Sequence, residues 1–306
     1  MSEYHIPVML NEALDALNVK EGGIYLDGTL GGGGHSEAIM RRGGRLIALD
    51  RDDDAINQSR SRFEKAGLND YKIVKSNFKD ALVALDSVGV DKIDGALLDL
   101  GISSHQIDEA ERGFSYRFDG RLDMRMDTSA GFTAYDVVND YDEDELVKIL
   151  FAYGEEKFAK KIANGIIKAR KVKAIESTLE LAEIVKKATP EFYHRQGHPA
   201  KKTFQAIRIE VNGELDGLDK AVENIASRLV SGGRLAVITF HSLEDRIIKQ
   251  AFRLMCTDCI CDKSLPVCVC GHKAIAKSIG KLRPSKEELE LNSRSASATL
   301  RIIEKL

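Results

Sequence analysis

Four consecutive glycines, at positions 31–34, follow a short apolar segment that ends in Asp27. A helical pattern begins immediately after them, at His35. Glycine adopts positive φ at little cost and has no Cβ to obstruct a ligand. A second apolar segment, residues 45–50, ends in Asp50, where a carboxylate can accept hydrogen bonds from ribose hydroxyls. This spacing predicts a site for a nucleoside-containing cofactor; a tight turn without a ligand is the alternative.

The glycine spacing also indicates which cofactor is bound. A nicotinamide dinucleotide site needs the pattern G-x-G-x-x-G, and here Ser36 or Glu37 stands where the third glycine belongs. The loop opens on Asp27, whose charge would repel a pyrophosphate and attract the ammonium of a methionine group. We therefore expect S-adenosylmethionine rather than NAD.

Polar and aromatic residues also follow the later strands of the predicted sheet, where ligands bind in open α/β proteins. Asn77 and Phe78 follow the third strand, and Phe78 is suited to contact an adenine ring, with a place in the hydrophobic core as the alternative. Asp99 ends the apolar fourth strand abruptly, which is typical of a functional acid but also of a capping residue. His241 follows the fifth strand, and we interpret it as a structural hydrogen-bonding residue rather than a base.

All five cysteines lie within fifteen residues, with a histidine close behind. The candidate zinc ligands are Cys256, Cys259, Cys261, Cys268, Cys270 and His272. Four thiolates or imidazoles would satisfy zinc, but the Cys-x-Cys spacing is tighter than that of a usual zinc motif. The sequence leaves open whether this segment binds a structural metal or is a reduced cysteine-rich loop. We assign no metal ligand, and we do not expect catalysis to depend on this segment.

Strands and helices that alternate along the chain must position these residues. The predicted strands are residues 23–26, 45–50, 71–75 and 93–98, and the predicted helices are residues 8–17, 36–42, 53–66 and 77–87. This alternation is typical of βαβ units and a parallel sheet.

The next predicted strand, residues 234–240, comes much later than a single crossover helix requires. A helical segment is therefore inserted, with predicted helices at residues 145–153, 157–171, 178–188 and 202–212. A helix at residues 216–230 then leads back to the sheet, and residues 299–303 form a last strand.

The composition is that of an ordinary globular protein of two domains, with 306 residues, 43% hydrophobic and 30% charged. We see neither a signal peptide nor an apolar run that could span a membrane, so we expect a cytoplasmic protein. The formal net charge is only −3, but residues 157–208 carry +9. That segment is either a face for a polyanion or a solvated helix surface.

Ten motifs occur in order along nearly the whole chain. The first five are His5-x-Pro-Val-Met-Leu-x-Glu12, Asp27-Gly-Thr-x-Gly-x-Gly-Gly-His-Ser36, Leu49-Asp-Arg-Asp52, Leu97-Leu-Asp-Leu-Gly-Ile-Ser-Ser104 and Glu111-Arg-Gly-Phe-Ser115. The others are Arg121-Leu-Asp-Met-Arg-Met-Asp127, Tyr153-Gly-Glu-Glu156, His198-Pro-Ala-x-x-Thr-Phe-Gln-Ala206, Phe240-His-Ser-Leu-Glu-Asp-Arg246 and Ser295-Ala-x-x-Thr-Leu-Arg301. Each is weak alone, but together they resemble the bacterial small-subunit ribosomal RNA N4-cytosine methyltransferase family.

The resemblance implies a class I, Rossmann-like S-adenosylmethionine-dependent methyltransferase of the α/β class. Its discontinuous methyltransferase domain would comprise residues 1–107 and 212–306, around an inserted, mainly helical RNA-recognition domain at residues 108–211. The cofactor residues carried over are Gly33, Gly34, His35, Asp50, Phe78, Asp99 and Gln106. Of these, His35 and Gln106 are implied by the resemblance alone.

The resemblance also implies methyl transfer to the exocyclic N4 amine of a decoding-centre cytidine of 16S rRNA, a nucleotide that carries a ribose methylation too. Many amino-methyltransferases have an Asp/Asn-Pro-Pro-aromatic motif after the fourth strand, whereas this chain continues from Asp99 with Leu-Gly-Ile. Our hypothesis is that Asp99 is the catalytic residue that contacts the amine, or that it orients the cofactor, with Asp123 or Asp127 as rivals for the amine. The base would then stack on Phe114 or Tyr116.

We expect 16S rRNA within the small ribosomal subunit to be the partner, held through phosphates by Arg195, Lys201, Lys202 and Arg208. The alternatives are a nicotinamide oxidoreductase and a non-enzymatic ribosome-assembly factor. A DNA methyltransferase is disfavoured only by the resemblance. Two questions stay open: whether the substrate is naked RNA or an assembled subunit, and whether the protein forms a homodimer.

Overall fold

The computed structural model describes residues 7–195, 197–262, 265 and 267–306. For residues 104 and 105 it describes the backbone alone. His5, which opens the first of the ten motifs, lies outside the described residues.

The chain folds into two compact units. The first consists of Met1–Gly101 with Gly217–Leu306, and the second of Ile102–Asp216. The expected boundaries, at residues 107 and 212, lie six and five residues away from these. Gln106 consequently belongs to the second unit, although the sequence analysis placed it in the methyltransferase domain.

Seven strands form one sheet in the first unit. They are β1 (Ile24–Asp27), β2 (Arg45–Asp50), β3 (Tyr71–Lys75), β4 (Ile93–Asp99), β5 (Leu229–Thr239), β6 (Ala276–Leu282) and β7 (Thr299–Lys305). Their order across the sheet is β3-β2-β1-β4-β5-β7-β6. Strands β1 to β5 run parallel, and β7 is antiparallel to both β5 and β6. The predicted fold class is confirmed.

Two strands differ from the prediction. Strand β5 begins at Leu229, so residues 229–230 are strand and not the end of a helix. Strand β6 was not predicted, because its sequence, Ala-Lys-Ser-Ile-Gly-Lys-Leu, lacks the apolar character of a buried strand. It lies at the edge of the sheet, where lysines are common because they discourage pairing with other chains.

The helices, in chain order, are α1 (Leu10–Leu17), α2 (Gly34–Arg41), α3 (Asp53–Lys65), α4 (Ala81–Ser87), α5 (Ser104–Asp108), α6 (Ala134–Asp140), α7 (Glu143–Ala152), α8 (Ala159–Arg170), α9 (Thr178–Ala188), α10 (Glu191–His194), α11 (Lys201–Asn212), α12 (Leu218–Arg228), α13 (Ser242–Met255) and α14 (Lys286–Leu291). Short 3₁₀ turns occupy Phe78–Asp80, Ala110–Arg112 and Ser293–Ser297. No described helix is long and apolar enough to cross a membrane.

Both faces of the sheet are covered by helices, because successive strand residues point to opposite sides. Leu97 and Ile238 pack with helices α1, α2 and α3 on one face. Leu98 and Val237 pack with α4, α12 and α13 on the other. The second unit has a core of its own, formed mainly by α6 to α9 and α11.

The sheet places two acids side by side. The strand order reverses between β1 and β4, and ligands of doubly wound sheets bind at such a reversal, beyond the carboxyl ends of the strands. Asp27 is paired with Leu97, two residues before Asp99. The glycine loop after β1 and the acid that ends β4 therefore meet at this point.

Candidate active site

Backbone hydrogen bonds hold the glycine loop over the ends of three neighbouring strands. The Gly28 amide donates to the Leu97 carbonyl of β4 at 2.9 Å, and the Leu30 amide donates to the Leu49 carbonyl of β2 at 2.9 Å. The loop then leads into α2, whose N-cap is Gly33. The N-terminus of a helix thus lies at the carboxyl edge of the sheet, as in other nucleotide-binding folds.

Close packing requires glycine at two of the four positions of the loop, Gly33 and Gly34, because a Cβ there would clash with neighbouring side chains. Gly33 has a φ of +74°, and a Cβ there would lie 2.8 Å from the Ser59 hydroxyl of α3. A Cβ on Gly34 would lie 2.2 Å from Pro7 Cγ. A Cβ on Gly32 would meet nothing within 4 Å. The loop therefore borders open space at Gly32, and the predicted cofactor contacts of Gly33 and Gly34 would have to come from their backbone.

His35 connects the N-terminal segment to the end of β4. Its ring is buried, and Nε2 lies 3.0 Å from the Val8 carbonyl oxygen. On the other side, Nδ1 lies 3.9 Å from Asp99 Oδ2. The structure thus places this residue beside the predicted catalytic acid, which no feature of the isolated sequence indicated.

Asp27 has a different place from the one we expected. Its side chain is only 1% exposed; Oδ2 accepts a hydrogen bond from the Ser36 hydroxyl at 2.6 Å, and Oδ1 accepts one from the Thr29 amide at 3.1 Å. Burial raises its pKa to about 6, against the hydrogen bonds from Ser36 and Thr29. Asp27 therefore holds the loop from within, and its attraction for the cofactor's ammonium stays a prediction.

Asp50 lies at the end of β2, as predicted, and its two carboxylate oxygens are oriented by backbone amides. Oδ2 accepts from the Gly31 amide at 2.8 Å, and Oδ1 accepts from the Asp52 amide at 2.9 Å. Burial raises the pKa of Asp50 above its usual value, while these amide hydrogen bonds oppose the shift. Backbone amides of Gly31, Asp52 and Arg51 bond to this carboxylate, and a carboxylate has about four lone-pair sites, so it could still accept a ribose hydroxyl.

Phe78 lies close to the start of the glycine loop. It begins the 3₁₀ turn after β3, where the Asn77 side chain accepts a hydrogen bond from the Lys79 amide at 3.1 Å. A Cβ on Gly28 would come within 3.1 Å of Phe78 Cβ and 2.4 Å of Leu98 Cδ2. The ring is partly buried, so one part of it packs on the core while the remainder is accessible.

Asp99 carries an unsatisfied acceptor. Its amide donates to the Thr29 hydroxyl at 2.6 Å, which anchors the end of β4 to the loop. Its side chain is 24% exposed, but the Oδ1 atom is buried and has no hydrogen-bond partner among the described residues. A buried acceptor without a donor costs free energy, so it marks a position where a ligand donor is favoured.

The surroundings of Asp99 disfavour its charge. Burial, and to a lesser extent the nearby acids Asp27 and Glu244, raise the pKa of this carboxyl to about 7, against a hydrogen bond from the Gly101 amide. Perturbed acids of this kind cluster at functional sites.

Thr29 and Glu244 were not singled out in the sequence analysis. Glu244 is 2% exposed and accepts a hydrogen bond from the Phe240 amide at 2.9 Å. It belongs to a capping box with His241, whose Nδ1 accepts from the Glu244 amide, so His241 caps α13. The spacing His-x-x-Glu before an apolar helix could have revealed this box.

Gln106 lies in the second unit, on α5. Its side chain is buried, and Oε1 accepts a hydrogen bond from the Ser103 amide at 3.1 Å. The Gln106 amide in turn donates to the Ser103 hydroxyl at 3.2 Å. These bonds close the turn at the start of α5, and the cofactor role implied by the resemblance stays a prediction.

Both rival acids are engaged by local partners. Arg125 donates to both carboxylate oxygens of Asp123, at 2.8 and 2.6 Å. Burial raises the pKa of Asp123, but the hydrogen bonds from Arg125 outweigh it, and the pKa lies below its usual value. Asp127 accepts from the Ser129 amide and hydroxyl, at 2.9 and 2.6 Å.

The two aromatic candidates for stacking the target base differ in exposure. Phe114 is only 7% exposed and belongs to the core of the second unit, so it is not available to a base and that expectation is wrong. Tyr116 is partly buried and stacks on the His198 ring, with ring centroids 4.3 Å apart.

The prediction that Arg208 contacts an RNA phosphate is also wrong. Arg208 forms a two-pronged ion pair with Glu214, at 2.8 and 2.9 Å, and its side chain is only 14% exposed. Arg195 and Lys201 are exposed, and Lys202 Nζ donates to the Glu155 carbonyl at 3.0 Å.

The sheet and its loop define the class of the protein. A parallel β3-β2-β1-β4-β5 sheet with an antiparallel β7 beside β5 is the architecture of class I methyltransferases, which use S-adenosylmethionine as methyl donor. Acids and glycines at the reversal of strand order replace the G-x-G-x-x-G loop of dinucleotide-binding sheets.

Comparison with known sequences gives the family. The family model of the MraW methylase family matches residues 2–306, and the chain belongs to that family. It is 51% identical over 310 residues to the ribosomal RNA small subunit methyltransferase H of Clostridium botulinum (strain Kyoto / Type A2), covering 99% of both chains. It is 49% identical over 316 residues to the protein of the same name from Clostridioides difficile (strain 630), covering 100% of both. A crystal structure of an rRNA methylase from Streptococcus thermophilus aligns with a TM-score of 0.43 at 13% identity, covering 99% of both chains.

The raised pKa of Asp99 predicts a pH-dependent stability for the ligand-free protein. Between pH 4 and 7 the folded state holds a proton on Asp99 that the unfolded state has lost, so stability falls as the pH rises. We expect Asp99→Asn to stabilise the ligand-free protein by roughly 2–4 kcal/mol at pH 8, with the gain disappearing towards pH 4. Urea denaturation across this range measures it.

Asp123→Asn is the control with the opposite sign. Because the pKa of Asp123 is lowered, its ionised form stabilises the folded state, and we expect this variant to be less stable than the wild type at pH 8. That difference should vanish as the pH falls through the folded-state pKa. A pH-independent effect of Asp99→Asn would contradict the assignment of an unfavourable charge.

Substitutions at Gly28 and Gly32 distinguish a packing effect from an effect on ligand binding. We expect Gly28→Ala to destabilise the ligand-free protein by about 1–3 kcal/mol, because its Cβ would overlap Leu98 and displace Phe78. Gly32→Ala should change stability by less than about 0.5 kcal/mol, because its Cβ enters open space. We expect it nevertheless to weaken S-adenosylmethionine binding, measured by calorimetry. Unchanged affinity in Gly32→Ala would show that this open space is not occupied by the cofactor.

Proposed function

We propose that the protein transfers a methyl group from S-adenosylmethionine to the exocyclic N4 amine of a decoding-centre cytidine in 16S rRNA. The observation that carries the chemistry is the Oδ1 of Asp99 at the end of β4, which has no hydrogen-bond partner in the part of the chain that the structure describes. The names of the relatives, which describe methyltransferases of small-subunit ribosomal RNA, support the substrate class.

The residues around the loop fit the cofactor. The buried carboxyl of Asp99 favours a ligand that brings positive charge, and S-adenosylmethionine carries a sulfonium and an ammonium. In this proposal Asp50 binds the ribose, Phe78 contacts the adenine, and the backbone of Gly33 and Gly34 borders the ligand. His35 supports the methionine end, a role that the family resemblance implies for Gln106 as well. When bound, the cofactor supplies a methyl group already activated by the sulfonium charge.

Asp99 can help the cytosine amine to act as the methyl acceptor. The lone pair of a cytosine amine is delocalised into the ring, which makes the nitrogen a poor nucleophile. A carboxylate that accepts an amine hydrogen draws the nitrogen towards tetrahedral geometry and stabilises the positive charge that develops on it. The nitrogen must also lose one proton as it gains the methyl group, and a carboxyl with a pKa of about 7 is suited to receive it.

The local partners of the rival acids favour Asp99. Asp123 is held by Arg125 and Asp127 by Ser129, so an amine that bound either acid would compete with hydrogen bonds already formed. Asp99 Oδ1 has no such hydrogen bond among the described residues.

A basic groove in the second unit supports an RNA substrate. It lies between α8 and α9, has a volume of about 740 Å³, and is lined by Lys160, Lys161, Lys168 and Lys187, with Glu143 at its border. Four lysines along one groove can follow a phosphate backbone, and such contacts release counterions on binding. The target base must leave its stack to reach the cofactor, so binding along the backbone is needed while the base is displaced.

The first experiment is tritiated methyl transfer from S-adenosylmethionine to small ribosomal subunits from a strain that lacks the enzyme. We expect the label in N4-methylcytidine after nucleoside analysis. With Asp99→Ala we expect turnover to fall by about a hundredfold or more, because one transition-state contact is lost.

The outcomes of this experiment distinguish the alternatives. Label in another nucleoside would contradict the N4 assignment, and transfer to DNA but not to subunits would contradict the RNA substrate. No transfer by a protein that still binds the cofactor would favour an assembly factor. Normal turnover of Asp99→Ala with cofactor binding intact would remove Asp99 from the amine.

The lysine groove gives a second prediction. We expect the double variant Lys161→Glu/Lys168→Glu to bind 16S rRNA at least about tenfold more weakly, with a salt dependence shallower by about 0.7–0.9 per lost phosphate contact. Filter binding at a series of salt concentrations measures both quantities.

A matched pair of exposed lysines in the first unit, changed as Lys65→Glu/Lys249→Glu, makes the same change in net charge. We expect it to leave the salt slope close to that of the wild type. Equal losses in the two double variants would mean that net charge, and not the groove, governs binding.

A further inference from the structure

Four cysteine thiols converge on the loop between α13 and β6. The Sγ atoms of Cys259, Cys261, Cys268 and Cys270 all lie within 4.8 Å of one another. Cys268 lies 3.4 Å from Cys259, 4.0 Å from Cys261 and 3.6 Å from Cys270, and Cys270 lies 3.9 Å from Cys259.

These separations match the edges of a coordination tetrahedron. Zinc binds thiolate sulfur at about 2.3 Å, so four sulfurs around one ion stand about 3.8 Å apart. The four measured separations fall on both sides of this value. The thiols are not joined in disulfides, whose sulfurs would be about 2.05 Å apart.

The other two candidate ligands from the sequence are placed elsewhere. Cys256 is the C-cap of α13 and packs against the core of the sheet unit. His272 Nε2 lies 2.9 Å from the Leu254 carbonyl oxygen, so this ring nitrogen is engaged by the backbone. The structure thus selects four thiols from the six residues that the sequence left open.

The loop backbone supports the cluster. The Val269 amide donates to Cys261 Sγ at 3.4 Å and so orients this sulfur. Hydrogen bonds to first ligands are a usual feature of metal sites, because they orient the ligands and stabilise their charge.

We propose that Cys259, Cys261, Cys268 and Cys270 bind one zinc ion in a structural site. Four protein ligands fill the tetrahedron and leave no open position for water or substrate, as in structural and not catalytic zinc sites. The ion displaces the four thiol protons as it binds. Softer thiolate ligands in a tetrahedron select zinc over magnesium or calcium.

The position of the loop agrees with a structural role. Helix α13 starts just after the carboxyl end of β5, so its C-terminus and the following loop lie at the opposite edge of the sheet from Asp99. The Ile275 amide donates to the Met255 carbonyl at 2.8 Å and closes the base of the loop. The metal would therefore act on the loop, and methyl transfer would not need it.

The loop has few other means of holding its shape. Ile260, Leu265, Val267 and Val269 are between 47% and 77% exposed, so its apolar side chains are not buried in a core. A segment that buries so little apolar surface gains little from the hydrophobic effect, and a bound metal can supply the missing free energy.

The test measures the metal in the purified full-length protein. We expect about one zinc per chain by plasma mass spectrometry when no chelator is used in purification. Replacing zinc with cobalt should give the visible absorption and thiolate charge-transfer bands of a tetrahedral cobalt–thiolate site. Native mass spectrometry of the wild type should show one bound ion, lost on acidification, which tests the proposal without any variant.

Matched variants locate the site. Cys259→Ser/Cys268→Ser should lose the zinc, while Cys256→Ser and His272→Ala should keep it, since both residues lie outside the tetrahedron. Methyl transfer by the metal-free double variant should stay within a few-fold of the wild type. Less than stoichiometric zinc in the wild type, iron in its place, disulfides among the four cysteines, or loss of zinc on Cys256→Ser would each overturn the proposal.

Discussion

The candidate active site depends on the burial of acids beside one another at the carboxyl ends of neighbouring strands. Asp27, Asp99 and Glu244 lie near the carboxyl ends of β1, β4 and β5. Burial raises the pKa of Asp99, and Asp27 and Glu244 add to this shift. Burying like charges is unfavourable, and the apolar strands behind them supply the stability that holds them there. A ligand that carries positive charge relieves this repulsion, so the same arrangement that burdens the ligand-free fold favours the methyl donor. Thr29 links the loop to β4, because its amide donates to Asp27 Oδ1 and its hydroxyl accepts from the Asp99 amide.

Much of this could be predicted from the sequence because it rests on local patterns. Alternating apolar segments revealed β1 to β4, and Asp50 and Asp99 ended them where expected. The misses arise from tertiary contacts. Strand β6 is an edge strand with lysines, Gly34 is a glycine because Pro7 packs against it, and Phe114 is buried by helices distant in sequence. The orphaned oxygen of Asp99 is likewise a property of the assembled strand ends, since no residue type in the sequence announces which oxygen lacks a donor.

The charge of the second unit shows why distribution matters more than net charge. Residues 102–216 contain 21 acids and 18 lysines and arginines, so this unit has a formal charge of −3, the same as the whole chain. A unit with a net negative charge would not attract a polyanion. Lysines from α8 and α9 line one groove, however, while Arg208, which the sequence also counted as basic, is neutralised by Glu214. At physiological salt, charges are screened beyond about 8 Å, so a phosphate responds to the groove and not to acids elsewhere on the unit.

The two edges of the sheet are stabilised by different means. At the carboxyl edge, the loop and the acids are fixed by strands whose apolar side chains are mostly buried, so the site is positioned before any ligand binds. At the opposite edge, the α13–β6 loop has exposed apolar side chains and a cluster of thiols at tetrahedral spacing. A metal there would fix one end of β6, which completes the antiparallel part of the sheet through β7. Since β7 pairs with β5 and Arg301 of β7 forms an ion pair with Asp245 of α13, order at that edge would extend to the helix that carries Glu244. The α13–β6 loop would therefore stabilise the elements that carry the candidate active site, and the proposed chemistry would still be performed by Asp99.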